Sequence, residues 1–401
     1  MNVFTKAYCR TFQAFMRVGM KILNFREPEI INGLDALPDV VAKEGLSSVL
    51  IVTDNYLHNV GKLIEGLKTK LEEKGIKYVV FDKTVPNPTI ENIEEAYGMY
   101  KDNDCQGIIA FGGGSPMDCA KGVGARVVCP NKTIPQMKGA FRILKKLPPL
   151  FAIPTTSGTG SETTITAVVS NPETHEKYPV SDPVLIPKYA VLDPTLTLGL
   201  PKHITSTTGM DALTHAVEAY IGKCTTEKTR AWSVKATKLI FENLKDVYDD
   251  GSDLKKRKNM QWASFYAGES FTRSFIGYVH SIAHTLGGMY GIPHGLANAI
   301  LLPHLLDWYG ESAYAPLAEL ASAVGIQGAT TEAKAKAFIQ AIKDMNAYMD
   351  IPTHVKGIKE EDIPTMVERS LKEANPMYPV PKLMDKKDMT AMYYEVMAKE
   401  E

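Results

Sequence analysis

Through the first half of the chain, short apolar runs alternate with stretches of helical period. Ser47–Asp54 contains Val49-Leu50-Ile51-Val52 and reads as a buried strand. Val60–Lys74 follows with helical spacing and is closed by Gly75. Ile76–Asp82 is the next strand, Ile90–Lys101 the next helix, and Gln106–Phe111 a third strand. Another helix starts near Pro116, and Leu150–Ile153 is a further strand. Alternation of this kind predicts a parallel sheet covered on both faces. Residues 163–193 read as a β-rich excursion that returns to the sheet at Tyr189–Asp193. The pattern changes near Leu200-Pro201. Beyond it, β-branched runs vanish and helical periods dominate. The expected domains are an α/β unit over 1–200 and an all-helical unit over 201–401. Ser252–Lys258 is a charged interruption, read as a solvated stretch between helices.

Composition changes this picture little. The 401 residues suit about two domains of ordinary size. Apolar residues make up 44%, enough for sizeable cores. A formal charge of -1 gives no net pull toward nucleic acid or anionic lipid. Cys9, Cys105, Cys119, Cys129 and Cys224 are scattered, which argues against a disulfide framework or thiolate metal site and for a reducing, cytoplasmic compartment. Thr11–Leu23 is apolar and basic, but Arg17 and Lys21 interrupt it and no small-residue cleavage site follows. A packed amphipathic segment is expected there, not a signal peptide, a membrane span or a surface-binding helix.

Candidate chemistry enters at Gly112-Gly113-Gly114-Ser115-Pro116-Met117-Asp118, between a strand and a helix. Glycine lets the backbone turn sharply and approach a ligand closely. Pro116 suits the first turn of the helix, and that helix end favours an anion such as a pyrophosphate. Asp54 closes the first strand, where a carboxylate can accept hydrogen bonds from ribose hydroxyls. It precedes the glycines, so the topology departs from the ordinary Rossmann order. Pro154-Thr155-Thr156-Ser157-Gly158-Thr159-Gly160-Ser161-Glu162 adds hydroxyls at the end of the later strand.

The second half offers metal chemistry. Asp211 and His215 sit four apart, as do His280 and His284, and His294 follows in Gly291-Ile292-Pro293-His294-Gly295. A spacing of four places two side chains on one helix face. Together they supply one carboxylate and up to four imidazoles to a divalent transition metal. An aspartate with three histidines still admits a substrate oxygen, and a spare imidazole beside them is a proton relay. His58, His175, His203 and His354 read as ordinary surface or satisfied histidines, and His304 as structural.

Five ordered motifs carry a resemblance that runs from about Glu29 to the C-terminus: Val85-Pro86-Asn87-Pro88-Thr89, Gly112–Asp118, Pro154–Glu162, Gly209–His215 and Pro293–Ala299. The chain is similar to the iron-containing, or group III metal-dependent, alcohol dehydrogenases. The resemblance implies an N-terminal dinucleotide-binding domain with a parallel sheet, an all-α C-terminal domain, and an active site in the cleft between them. This is the architecture shared with 3-dehydroquinate synthase. It implies metal ligation by Asp211, His215, His280 and His294, and makes His284 the catalytic histidine beside the substrate. For the cofactor it points to Asp54, Asn87, Gly113, Gly114, Ser115, Asp118, Thr155, Thr159, Thr164 and Lys177. An acid at Asp54 favours NAD over NADP, because a carboxylate repels the extra phosphate. Residues 1–28 form an extension of the first domain that is longer than in many relatives. Family members often carry an Asn near Arg273/Ser274, which this chain lacks.

The expected function is a reversible NAD-dependent alcohol dehydrogenase acting on small primary alcohols or diols and their aldehydes, with Fe(II) or Zn(II). A homodimer or larger homo-oligomer is expected, with no nucleic-acid or membrane partner. A glycerol dehydrogenase-like or 3-dehydroquinate synthase-like enzyme is the alternative on the same scaffold. The synthase would need a Lys/Arg cluster for a phosphate-bearing substrate, and only Arg273 lies near the histidines in sequence. A non-catalytic metal- or nucleotide-binding protein is the remaining alternative.

Overall fold

The structure, a computed structural model, describes residues 1–23, 25–174 and 176–398, so His175 lies outside the described residues. Two compact units emerge: Phe25–Gly199, and Met1–Asn24 together with Leu200–Glu401.

Helix α1 (Val3–Ile22) opens the chain. The first unit then runs β1 (Glu29–Asn32), α2 (Leu37–Lys43), β2 (Ser48–Val52), α3 (Glu65–Glu73), β3 (Lys77–Phe81), α4 (Ile90–Asp102), β4 (Gly107–Gly112), α5 (Gly114–Val128), β5 (Gly139–Ala140), β6 (Leu150–Pro154), β7 (Thr166–Asn171), β8 (Glu176–Ser181) and β9 (Tyr189–Leu192). Six strands form one sheet in the order β1-β9-β6-β4-β2-β3, and every pairing in it is parallel. The inner strands β2, β4 and β6 are buried along their whole length, which is why they read as unbroken apolar runs. Alternate residues feed two cores. Leu50, Val52, Ile108, Ala110, Leu150 and Ala152 join one cluster. Val49, Ile51, Ile109, Phe111, Phe151 and Ile153 join the other.

The chain passes from β2 to β3 on one side and returns to β4 on the other. That reversal makes the carboxyl ends of β2 and β4 the topological switch point, the usual place for a ligand in an open α/β sheet. The excursion after β6 becomes a second sheet, in which β7 pairs antiparallel with β8 and β5 lies parallel to β8.

Two details of this first unit depart from expectation. The helix anticipated over 60–74 is split into a π-turn (Tyr56–Val60) and α3, with Lys62 at φ 51 between them. A positive φ at a lysine ends helical continuity. Strand β1 escaped the pattern because it is a short edge strand with a single buried residue, Ile31.

The second unit comprises α6 (Lys202–Ile221), α7 (Glu227–Asp249), α8 (Leu254–Ser274), α9 (Tyr278–Tyr290), α10 (His294–Tyr309), α11 (Glu311–Ala323), α12 (Thr331–Tyr348), α13 (Ile363–Ala374) and α14 (Lys386–Val396). Its core is one large cluster around α6, which is buried almost throughout from Thr205 to Ile221. The charged run at 252–258 is not an interhelical stretch. Asp253 caps α8 by accepting from the Lys256 N–H, and the lysines sit in its first turns. Arg257 is buried there and donates to Gly251 O and Thr205 Oγ1.

Helix α1 groups with this second unit, whereas the sequence placed residues 1–28 with the first domain. Polar contacts explain the difference. Arg10 donates to the carbonyls of Val380 and Pro381, and the Gln13 amide to those of Pro376 and Tyr378. Phe4, Tyr8, Phe15 and Val18 on the opposite face stay exposed. No helix among the described residues is long and apolar enough to cross a membrane.

Candidate active site

Helix α6 carries Asp211, His215 and Glu218, spaced so that all three lie on one face. Helix α9 carries His280 and His284, and α10 begins at His294. Asp211, His215, His280 and His294 each offer a ligand atom, and these atoms lie within 4.8 Å of one another. Asp211, His215 and His280 are buried, and His294 is partly exposed. Gly295 permits the approach of α10 to α6: a Cβ there would lie 2.5 Å from Thr207 O.

The surroundings orient these groups. Glu218 is buried, and its Oε2 accepts from Gly277 N–H at 2.9 Å and from His280 Nδ1 at 2.6 Å. Its Oε1 accepts from Val279 N–H at 2.9 Å. A Cβ on Gly277 would sit 2.5 Å from that same Oε1, so the carboxylate needs glycine beside it. With Nδ1–H committed to Glu218, His280 presents Nε2 as a lone pair. That Nε2 is buried and makes no hydrogen bond. A buried imidazole nitrogen without a donor, amid a carboxylate and two further imidazoles, is the arrangement a divalent cation satisfies. Asn298 donates to Asp211 Oδ1 at 2.6 Å, and its Nδ2 lies 3.1 Å from His294 Nε2. The His215 ring stacks on Phe271 at 4.1 Å between centroids.

His284 stands beside this group, its ring stacked on His294 with centroids 5.3 Å apart. Its Nδ1 is 2.7 Å from Glu373 Oε1, which also accepts from Tyr378 OH at 2.7 Å. Burial, reinforced by Glu373, holds the Tyr378 phenol well above the usual tyrosine range, so it stays a donor. His304 lies apart, bonded to Thr353 O at 2.9 Å, and His58 pairs with Asp82.

In the α/β unit the expected cofactor residues fall on several elements: the glycines follow β4, Thr155 and Thr159 follow β6, Asn87 lies between β3 and α4, Asp118 is on α5, Thr164 precedes β7 and Lys177 is on β8. Asp54 follows β2, and its Oδ1 accepts from Leu57 N–H at 3.0 Å. Gly113 is the N-cap of α5, which has no acidic residue in its first turn to compete with an anion. Gly114 faces Thr159, where a Cβ would meet the methyl at 2.9 Å. Thr155 N–H donates to Gly112 O at 3.1 Å, tying the two loops together. Asn87 sits at φ 58, donates its N–H to Ser115 Oγ, and accepts from Lys177 Nζ at 2.6 Å. Asp118 is turned inward: Oδ1 accepts from Ser161 Oγ at 2.9 Å and Oδ2 from Val168 N–H at 3.0 Å. Thr164 Oγ1 accepts from Lys121 Nζ at 2.7 Å.

Two family models together match most of the chain: iron-containing alcohol dehydrogenase over residues 29–194, and the C-terminal region of the Fe-containing alcohol dehydrogenase family over 205–397. The chain belongs to the iron-containing alcohol dehydrogenase family. It is 38% identical over 336 residues to the 1,3-propanediol dehydrogenase of Citrobacter freundii, covering 82% of this chain and 87% of that one. It is 35% identical to the NAD-dependent methanol dehydrogenase of Bacillus methanolicus, over 87% of this chain and 93% of that protein. The solved alcohol dehydrogenase from Oenococcus oeni superposes with a TM-score of 0.89 at 34% identity, covering 93% of this chain and 99% of the other.

For this alcohol dehydrogenase, an oxidoreductase acting on CH–OH donors, sequence reasoning missed two carboxylates. Glu218 had a signal: with Asp211 and His215 it completes an i, i+4, i+7 stripe. Glu373 had none, because it is 89 residues from its partner His284.

Proposed function

We propose that the enzyme interconverts small primary alcohols or diols and their aldehydes with NAD, using one divalent cation, Fe(II) or Zn(II). Asp211, His215, His280 and His294 would hold the cation. The observation that carries this reading is the convergence of those four ligand atoms within 4.8 Å, with the buried lone pair of His280 Nε2 among them. The cation would supply Lewis acidity to the oxygen of the alcohol or aldehyde, and the nicotinamide would exchange hydride with its carbon.

The chain's own residues do the remainder. Glu218 fixes the orientation and tautomer of His280. Glu373 holds His284 by Nδ1, leaving Nε2 to take or return the hydroxyl proton of the substrate. Gly113, Gly114 and the amino end of α5 would receive the pyrophosphate. Asp54 would bind ribose hydroxyls and disfavour the extra phosphate of NADP. Asn87, Ser115 and Lys177, already joined by hydrogen bonds, would bind next to the glycine turn. Asp118, Thr155, Thr159 and Thr164 would shape the loops around the cofactor.

The reading extends to a homodimer or larger homo-oligomer, which the exposed apolar face of α1 supports. It also extends to a reducing, cytoplasmic setting, which five buried, unpaired cysteines support. The test is NADH oxidation with propanal and butanal after chelation, then after adding back Fe(II) or Zn(II). Activity should vanish with the metal and return with one of the two ions. Chelated enzyme at full rate would refute the reading.

A further inference from the structure

Lys121 lies on α5, two turns in from the glycine turn, and its side chain is wholly buried. Burying an ammonium is costly unless its protons find acceptors. Here all three do: Ser161 Oγ at 2.9 Å, Thr164 Oγ1 at 2.7 Å and Thr166 O at 2.9 Å. These acceptors span the short segment that leads from the threonine-rich loop after β6 into β7. The bonding continues beyond them. Ser161 Oγ in turn donates a hydrogen bond to Asp118, one turn before Lys121 on the same helix, and Asp118 accepts from the Val168 N–H. Helix α5 thus grips that segment at Ser161, Thr164, Thr166 and Val168. Thr159, two residues before the grip, packs so near Gly114 that a Cβ there would lie 2.9 Å from its methyl. No carboxylate forms an ion pair with Lys121 among the described residues, and no proton remains on Nζ for a ligand. Burial lowers its pKa to about 8, which leaves it charged at neutral pH. An apolar residue of similar length would fill the same space without the desolvation cost, so packing alone does not call for lysine.

We propose that Lys121 is a positioning residue for the dinucleotide: it locks the loop after β6 against the phosphate-binding helix and thereby sets the affinity for NAD. The inference rests on the cofactor assignment made above, and adds to it a residue that touches neither NAD nor substrate.

The test compares wild type with Lys121→Met as purified, metal-loaded enzyme. Losing hydrogen bonds from a charged donor should weaken NADH binding, read by fluorescence titration, by about tenfold or more. At saturating NADH, kcat should stay within about threefold of wild type, with the KM for aldehyde and the metal content unchanged. Lys121→Met that folds, holds its metal and binds NADH as wild type does would overturn the proposal. If that variant does not fold, Ser161→Ala decides, since it removes one acceptor and the link to Asp118 without burying a new group. A clear rise in its NADH Kd upholds the proposal, and an unchanged Kd overturns it. Wild-type enzyme that does not bind NADH at all would instead sink the cofactor assignment, and this inference with it.

Discussion

The two candidate sites are built in opposite ways. The metal cluster in the helical unit consists of side chains on rigid helices, with Asp211 and His215 on α6 and His280 on α9. The nucleotide end of the α/β unit consists of loops and backbone, with glycines, turn residues and a helix amino end. In the first, geometry is fixed by 3.6-residue periodicity and by carboxylates that lock imidazoles. In the second, it is fixed by a web of weak bonds between segments far apart in the chain. Single substitutions should therefore act all-or-none in the helical unit and by degrees in the α/β unit.

The largest expected effect is His280→Ala. Three remaining ligands should not retain the ion, so metal analysis after dialysis should show near-zero occupancy and activity should fall by about a thousandfold or more. Unchanged occupancy would break the comparison at its stronger end. Next is Glu218→Gln. The amide would present N–H to His280 Nδ1, push the proton to Nε2, and weaken metal affinity by about 10–100-fold in chelator competition while the helical content holds. An unaltered affinity would mean that Glu218 only packs. On the nucleotide side, Asp54→Gly should shift the NADP-to-NAD efficiency ratio by about tenfold toward NADP, with metal content untouched. A constant ratio would show the ribose assignment to be wrong.

The smallest effect concerns stability. Burial raises the Glu162 carboxyl from 4.5 to about 7, and its Oε1 has no hydrogen-bond partner. A carboxyl with a higher pKa folded than unfolded binds more protons in the native state. Stability is thus lost as pH rises from 4.5 toward about 7, then levels off. Glu162→Gln should flatten that slope in thermal melts between pH 5 and 8, changing the midpoint by roughly a few degrees. A slope that persists would assign it to other groups.

The same contrast explains what was legible in the sequence. Inner strands such as β2 and β4 were plain because burial on both faces writes an unbroken apolar run, while β1 lacked one. Asp211, His215 and His280 stood out because helical spacing turns a line of letters into a face, and His294 because it follows them in a glycine-flanked turn. Glu218 fell on that same face, a usable signal, but its role becomes plain only where His280 from another helix meets it. Glu373 and Lys121 were invisible for a related reason. Each acts only through tertiary neighbours, His284 at 89 positions away and Ser161 at 40. Asp118 was legible as part of a motif, yet its inward hydrogen bonds were not, because a motif names a residue and says nothing of its partner.

Helix α6 is sunk in the middle of its unit, with Asp211, His215 and Glu218 all deep inside. An ion seated there is a structural member as much as a reagent. When it departs, buried polar atoms such as His280 Nε2 are left without a partner in the core of the helical unit, so the heat tolerance of this half should climb with free metal concentration by mass action. Cells short of the metal would then lose the catalyst itself as well as its turnover.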